Sequence, residues 1–267
     1  MLMKLRIVAL IGLYPALLPV LVAAEQSHAH WGYDGKDGPR AWATLSPEYA
    51  ECGRGSRQSP IDLPIAAGPE APRAPAAEMK VYHHEHSVDV SNNGHTVTVS
   101  YDDGDQLALG ESVYPLVQYH FHTPSEHTFA GQHFPGELHL VHRAANGQLA
   151  VVGVMLESGT HNAAFDAVVG HLPSTAGASE HVDRVPVDID ALLPASRQAF
   201  RYAGSLTTPP CSEGVEWLVL RTPVGIDPQQ LQSLATVLQH NNRDTQALHG
   251  RAVSSTELDV ESVSSRQ

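Results

Sequence analysis

The chain has 267 residues, a formal net charge of −13, 42% hydrophobic residues, 17 histidines and only two cysteines. Such acidity speaks against nucleic acid or an anionic membrane surface as partner, because both repel a negative protein. It favours solubility and leaves the fold open.

Lys4 and Arg6 precede an apolar run from Ile7 to Val22 that contains Pro15 and Pro19, and Val22-Ala23-Ala24 offers small residues for cleavage. These features predict an export signal over residues 1–24, cut near Ala24, with the mature chain starting at Glu25 in the periplasm or outside the cell. The run is short for a membrane span, and no other segment is apolar enough to cross a bilayer. The signal holds two basic and no acidic residues, so its removal leaves a net charge of −15 on 243 residues. That length suits one large domain, expected over residues 25–253. Cys52 and Cys211 can make one intramolecular bridge in an oxidising compartment; two free buried thiols are the alternative. A bridge would close a loop of about 160 residues, for which chain entropy sets an upper figure of roughly 5 kcal/mol.

Most of the mature chain reads as short alternating strands between turn residues. Pro64 to Ala77 is rich in Pro and Ala and is expected to be a surface loop. His83-His84-Glu85-His86, like His28 and His30, reads as solvated chain where any metal would be adventitious. Val88 and Val90, then Val97 and Val99, alternate about Asn92-Asn93-Gly94, a hairpin signal. Leu138 and Leu140 mark another strand. Leu149 to Leu156 is an apolar run of the kind found in a buried central strand, and Leu218 to Leu220 marks one more. Asn162 to Val169 is a weak helix. A clearer helix begins at Pro228, capped by Asp227, with Leu231, Leu234, Ala235 and Leu238 on one face. Residues 254–267 are polar with little periodicity and are expected to be a frayed tail. The class predicted is mainly β (α+β) in a single domain.

Two strands carry the chemistry. In Gln118-Tyr119-His120-Phe121-His122, His120 and His122 are two apart and so point to one face. Glu137-Leu138-His139-Leu140-Val141-His142 supplies His139 as a third imidazole if its strand returns beside the first. Three neutral imidazoles with a fourth position open are the ligand set of a catalytic zinc. Such a zinc makes hydroxide from bound water near neutral pH. Gln118 and Glu137, each two residues before a histidine, can accept the other ring N–H and fix its tautomer.

These motifs together resemble the α-class carbonic anhydrases, close to the exported bacterial members. The likeness runs from His30-Trp31-Gly32-Tyr33 through Arg57-Gln58-Ser59-Pro60-Ile61-Asp62, Ser91-Asn92-Asn93-Gly94-His95 and the segments around His120 to His127 and His139. It continues through Ser205-Leu206-Thr207-Thr208-Pro209-Pro210 to Asn241-Asn242-Arg243 and Gly250-Arg251. The resemblance implies a central, mostly antiparallel, twisted ten-stranded sheet with a few short peripheral helices. It implies one Zn²⁺ per chain on His120, His122 and His139, and reversible hydration of CO₂ to bicarbonate and a proton by attack of zinc-bound hydroxide. Thr207 matches a residue that orients the hydroxide and donates its own proton to Glu126. Val141, Val151, Leu206, Val215 and Trp217 map onto an apolar wall for CO₂. His95 occupies a proton-shuttle position, Tyr33 and Thr208 match residues that order water, and His127 matches a buried histidine supporting Glu126. Cys52 and Cys211 match a disulfide of many exported members. Homodimers occur among these relatives. Asp244 stands where the family commonly has proline and His249 where it has asparagine, which puts local loop structure in doubt. The rival readings are hydrolysis of activated esters, a non-catalytic carbonic-anhydrase-like binding module, and metal buffering by scattered histidines.

Overall fold

A computed structural model describes residues 29–64, 72–83, 86–100, 104–185 and 187–264. The expected export signal, His28 and His84-Glu85 lie outside the described residues. In chain order the strands are β1 (Asp62–Leu63), β2 (Ala77–His83), β3 (His86–Asn92), β4 (Val97–Ser100), β5 (Gln106–Leu109), β6 (Ser112–His122), β7 (Thr128–Phe129) and β8 (Gln132–His133). They continue as β9 (Gly136–Arg143), β10 (Leu149–Ser158), β11 (Ser179–Val185), β12 (Gln198–Ser205), β13 (Glu213–Leu220), β14 (Val224–Ile226) and β15 (Ser254–Ser264). The helices are short: α1 (Trp42–Leu45), α2 (Glu51–Arg54), α3 (Asp166–Val169) and α4 (Pro228–Leu238).

The expected class, mainly β with few helices about one mostly antiparallel sheet, is what the structure shows. That sheet counts twelve strands among the described residues rather than ten. β3 and β4 form the predicted hairpin, with Asn92 opposite Val97. β10 is the buried strand read from its apolar run; it pairs antiparallel with β9 and parallel with β13 and β14. The first half of β6 pairs with β5, and its second half lies between β4 and β9.

Residues 254–264 correct the expectation of a frayed tail. They form β15, antiparallel to β12 and parallel to β2, with Leu258 fully buried. Thr256, Leu258 and Val260 alternate with Glu257, Asp259 and Glu261, a period of two that surrounding serines and acids obscure. β12 takes residues 254–257 and β2 takes residues 258–264, so the strand finds a backbone partner along its whole length, and this outweighs a polar composition.

α4 starts where its residues predict. Asp227 accepts from the N–H groups of Gln229 and Gln230, and the Gln230 side chain accepts the Asp227 N–H in return. This reciprocal cap satisfies donors that a helix start leaves orphaned. Asn162 to Val169 is a 3₁₀ turn (Ala163–Phe165) running into α3. No helix among the described residues is long and apolar enough to cross a membrane.

Alternation along β9, β10 and β13 divides the interior in two. Leu138, Leu140, Val152, Val154, Leu218 and Leu220 join the large apolar core. Val141, Val151, Met155, Val215, Trp217 and Val219 join a smaller cluster on the other face. Glu137 and His139 share that second face, because they alternate with Leu138 and Leu140.

Candidate metal centre

Strand register brings the three histidines together. His120 sits directly opposite His139 in the antiparallel pair β6–β9, and His122 sits opposite Glu137. Paired residues of adjacent strands project to the same face. Ring centroids of the three histidines lie 4.6–5.2 Å apart. One ligand nitrogen from each falls within 4.8 Å of the others.

The second nitrogen of every ring is engaged by an acceptor. His120 Nδ1 donates to Gln118 Oε1 (2.9 Å), His122 Nδ1 to the Asn241 carbonyl (2.6 Å) and His139 Nε2 to Glu137 Oε1 (2.8 Å). A carbonyl or carboxylate oxygen can only accept, so each engaged nitrogen carries the proton. The lone pairs are therefore left on Nε2 of His120, Nε2 of His122 and Nδ1 of His139. His122 Nε2 is buried with no hydrogen-bond partner. A buried polar atom without a partner is costly, and a metal ion would relieve that cost. Imidazole nitrogens suit zinc, so the donor set fits the group.

Electrostatics point the same way. Burial pushes His120 and His122 below the usual histidine value, with neighbouring rings adding to the effect at both, although at His122 Glu126 opposes it. Both are thus held neutral, the form that binds metal. Burial also acts to lower His139, but Glu137 overrides it and raises that ring. The same carboxylate increases its basicity toward a metal. Burial would raise Glu137 itself; the charges and hydrogen bonds of His127 and His139 win and hold it well below the ordinary carboxylate range.

Glu137 is the hub of this face. It also accepts from His127 Nδ1 (2.7 Å) and from the backbone N–H groups of Glu126 and His127 (both 2.8 Å). His127 Nε2 lies 2.6 Å from the Tyr202 hydroxyl, which lies 2.9 Å from Ser59 Oγ. His127 therefore supports Glu137, and not the Glu126 side chain as expected. Gly153 stands opposite His139 on β10, and a Cβ there would sit 3.0 Å from Glu137 Oε1. A side chain at that position would crowd the carboxylate.

A family model, eukaryotic-type carbonic anhydrase, matches residues 37–257. The chain belongs to the eukaryotic-type (α) carbonic anhydrases. It is 40% identical to a carbonic anhydrase of Neisseria gonorrhoeae, over 86% of this chain and 90% of that protein. A carbonic anhydrase of the cyanobacterium Nostoc is 37% identical over 86% and 87%. Among solved structures, the α-carbonic anhydrase of Thermovibrio ammonificans in complex with the inhibitor sulfanilamide has a TM-score of 0.79 at 41% identity, covering 85% of this chain and 99% of that one. The chain is therefore an enzyme, a carbonic anhydrase acting on a small molecule.

Around the carbonic anhydrase triad, Val141, Val151, Val215 and Trp217 pack in one cluster with Leu206 against its edge. Their registers follow from one row across the sheet: Val141 opposite Val151, Val151 opposite Trp217. Trp217 Nε1 donates to the Ser205 carbonyl, which ties this row to the loop carrying Thr207 and Thr208. Thr207 is buried and Thr208 half-buried.

The expected bond from Thr207 to Glu126 is not formed. Glu126 Oε1 accepts the Arg243 N–H (3.0 Å), while Oε2 is buried without a hydrogen-bond partner, 3.5 Å from His122 Nε2. The carboxylate faces the unpartnered imidazole instead of the hydroxyl. Tyr33 also lies near Glu126: burial raises its hydroxyl well above the usual tyrosine value, and the charge of Glu126 adds to this.

His95 stacks on Trp31, with ring centroids 3.7 Å apart and planes 8° from parallel. Partial burial lowers its pKa, and His30 lowers it further. The Cys52–Cys211 disulfide is formed. The Cys211 N–H donates to the Thr208 carbonyl (2.8 Å), so the bridge anchors the Thr207 loop. The Arg243 guanidinium donates to the Cys52 carbonyl (2.7 Å) and to the Ser59 carbonyl (2.7 Å).

Sequence patterns alone do not disclose the roles of Asn241, Arg243, Ser59, Tyr202 and Gly153. Asn241, Arg243 and Ser59 lie inside the motifs shared with the carbonic anhydrases, so a signal is there. Tyr202 and Gly153 give none, since their roles depend on which strand lies alongside.

Proposed function

We propose that this carbonic anhydrase reversibly hydrates CO₂ to bicarbonate and a proton, using one zinc ion held by His120, His122 and His139. The observation that carries the reading is the three imidazoles whose outer N–H groups are all engaged, which aims three lone pairs at one place. Zinc bound there supplies a Lewis acid that makes water nucleophilic near neutral pH. The chain's own residues do the rest. Gln118, Glu137 and the Asn241 carbonyl hold the rings in the ligating tautomer. Glu126, an acceptor only, sets the proton direction of the Thr207 hydroxyl once the two meet, and Thr207 then accepts from the attacking water. Val141, Val151, Leu206, Val215 and Trp217 seat an apolar substrate that charge cannot hold, with Thr208 at the edge. His95, whose pKa partial burial and then His30 lower from the usual histidine value, takes the product proton outward through water, the role an imidazole suits best among side chains.

The test is stopped-flow CO₂ hydration on the secreted protein before and after chelator treatment and zinc restoration. Fast hydration that vanishes and returns with one zinc per chain is the expected result. One zinc per chain without hydration would overturn the reading and leave a binding module. Val151→Tyr should lower turnover by roughly 10²-fold or more, the scale of a misplaced substrate, with zinc content retained; unchanged turnover would remove the wall assignment. The reading includes export, with Glu25 as the first residue by intact mass, and sedimentation decides between monomer and homodimer.

A further inference from the structure

Gly153 is a glycine with no backbone reason to be one. It lies buried in the middle of β10, paired antiparallel with His139 and parallel with Val219. It is not among the glycines with positive φ, so a side chain would meet no backbone strain there. Glycine inside a strand loses chain entropy on folding and packs nothing. What the position gains is the space that a side chain would fill.

That space is taken. A Cβ at 153 would lie 3.0 Å from Glu137 Oε1, 3.5 Å from Val219 Cγ2 and 3.8 Å from Trp217 Cζ3. The last two are ordinary contacts. The first is short, since even weak carbon–oxygen hydrogen bonds run at about 3.3–3.6 Å. Oε1 accepts from His139 Nε2 (2.8 Å) and His127 Nδ1 (2.7 Å), and Oε2 accepts from the N–H groups of Glu126 and His127. Four donors fix the carboxylate, so it cannot retreat from a methyl group without lengthening those bonds. The methyl could not retreat either. Its strand is held by β9 on one side and β13 on the other, and the Trp217 ring packs against both His127 and His139, with centroids 4.9 Å away in each case.

We propose that Gly153 is a positioning residue for the metal centre: its missing side chain lets Glu137 reach His139, and this sets how tightly the chain retains zinc. The link from space to affinity runs through one hydrogen bond. Glu137 Oε1 holds His139 in the tautomer whose Nδ1 lone pair is free, and increases the basicity of that ring. A methyl group at 153 displaces the carboxylate by about 0.3 Å or more. The bond to His139 weakens while all three imidazoles stay in place. The inference rests on the zinc reading proposed above.

The experiment is competition for zinc with a chromophoric chelator, run on the unsubstituted chain, Gly153→Ala, Glu137→Ala and the double variant. Gly153→Ala should bind zinc about tenfold more weakly, the lower edge of what losing such a support costs. Glu137→Ala should lose at least as much. The double variant should match Glu137→Ala alone, because with the carboxylate gone the added methyl crowds nothing. A methyl that acted only on packing would add its own loss. Unchanged affinity in Gly153→Ala would overturn the proposal, and so would additive losses in the double variant. If Gly153→Ala fails to fold, the double variant decides. Folding regained there, read as a melting transition of the zinc-free protein, supports the crowding of Glu137; continued failure assigns the glycine to packing against Trp217 and Val219 and overturns the proposal. A second readout needs no metal. The imidazole N–H proton of His139 should move upfield in the NMR spectrum of zinc-free Gly153→Ala, as its bond to Glu137 lengthens, and an unmoved resonance would overturn the proposal. Absence of bound zinc in the unsubstituted protein would overturn the zinc reading instead.

Discussion

The two faces of β9 carry opposite chemistry on one backbone. Leu138 and Leu140 point into the large core, fully buried among aliphatic side chains. Glu137 and His139, equally buried, point the other way into a net of hydrogen bonds. On the first face burial is favourable by itself, at about 1.5–3 kcal/mol for each large apolar side chain. On the second, burial is unfavourable unless each polar group finds a partner. Glu137 finds four donors, whereas His122 Nε2 and Glu126 Oε2 find none. The apolar face therefore stabilises the scaffold, and the polar face leaves its unmet needs where a metal ion and a water would meet them.

Substitutions on the two faces should separate stability from chemistry. His139→Ala removes a ligand, so hydration should fall to the uncatalysed rate, roughly 10⁶-fold or more for an enzyme of ordinary power, and zinc per chain should drop well below one. Stopped-flow and metal analysis on the same sample check both. Glu137→Gln keeps the shape but turns two donors of an amide toward groups that already donate. Zinc affinity should fall about 10–100-fold, the usual effect of losing such a support, as read by competition with a chromophoric chelator; unchanged affinity would break the hub assignment. Leu140→Ala, one residue from His139, should cost about 2–5 kcal/mol of stability and lower the melting temperature by several degrees. Hydration per folded molecule should stay the same, and a selective loss of activity would show that the faces are coupled.

The smallest effect concerns histidines outside both faces. Hydrogen bonding to Asp89, then its charge, raises His181 above the usual histidine value; His161 is raised likewise by Asp227 and Asp166. A raised folded value means the stabilisation is complete below about pH 6.5, the unfolded value. It is lost as pH rises through the folded value. His181→Gln should therefore lower the melting temperature slightly at pH 5.5 and leave it unchanged at pH 8.5, with a shift of about a degree or less because exposed pairs contribute little. A larger shift at the higher pH would contradict the sign.

Periodicity makes the main elements legible. The hairpin at Asn92-Asn93-Gly94, the apolar strand from Leu149 and the helix capped by Asp227 all report local patterns, and all three form. β15 escapes such a reading because its alternation uses small and acidic residues, and its stability comes from β12 and β2, strands distant in the chain. The triad is legible because its spacing is short-range: His120 and His122, Gln118 and His120, and Glu137 and His139 are each two positions apart, and only the partner of His122, the Asn241 carbonyl, comes from far along the chain. Expectation and structure part where a contact crosses the sheet. The family resemblance implies that His127 supports Glu126, but Glu137, on β9, takes the bond.

Local sequence by itself determined which residues could ligate, which face of each strand they would take and where the longest helix would begin, because those follow from periods of 2 and 3.6 and from end effects within four residues. Only tertiary structure decided that His139 lands opposite His120, that the Asn241 carbonyl sets the tautomer of His122, and that Gly153 leaves room for Glu137. It also placed His30, His95 and His240 around one cavity. Those outcomes depend on strand register and on contacts between segments far apart in the chain, and no local pattern encodes them.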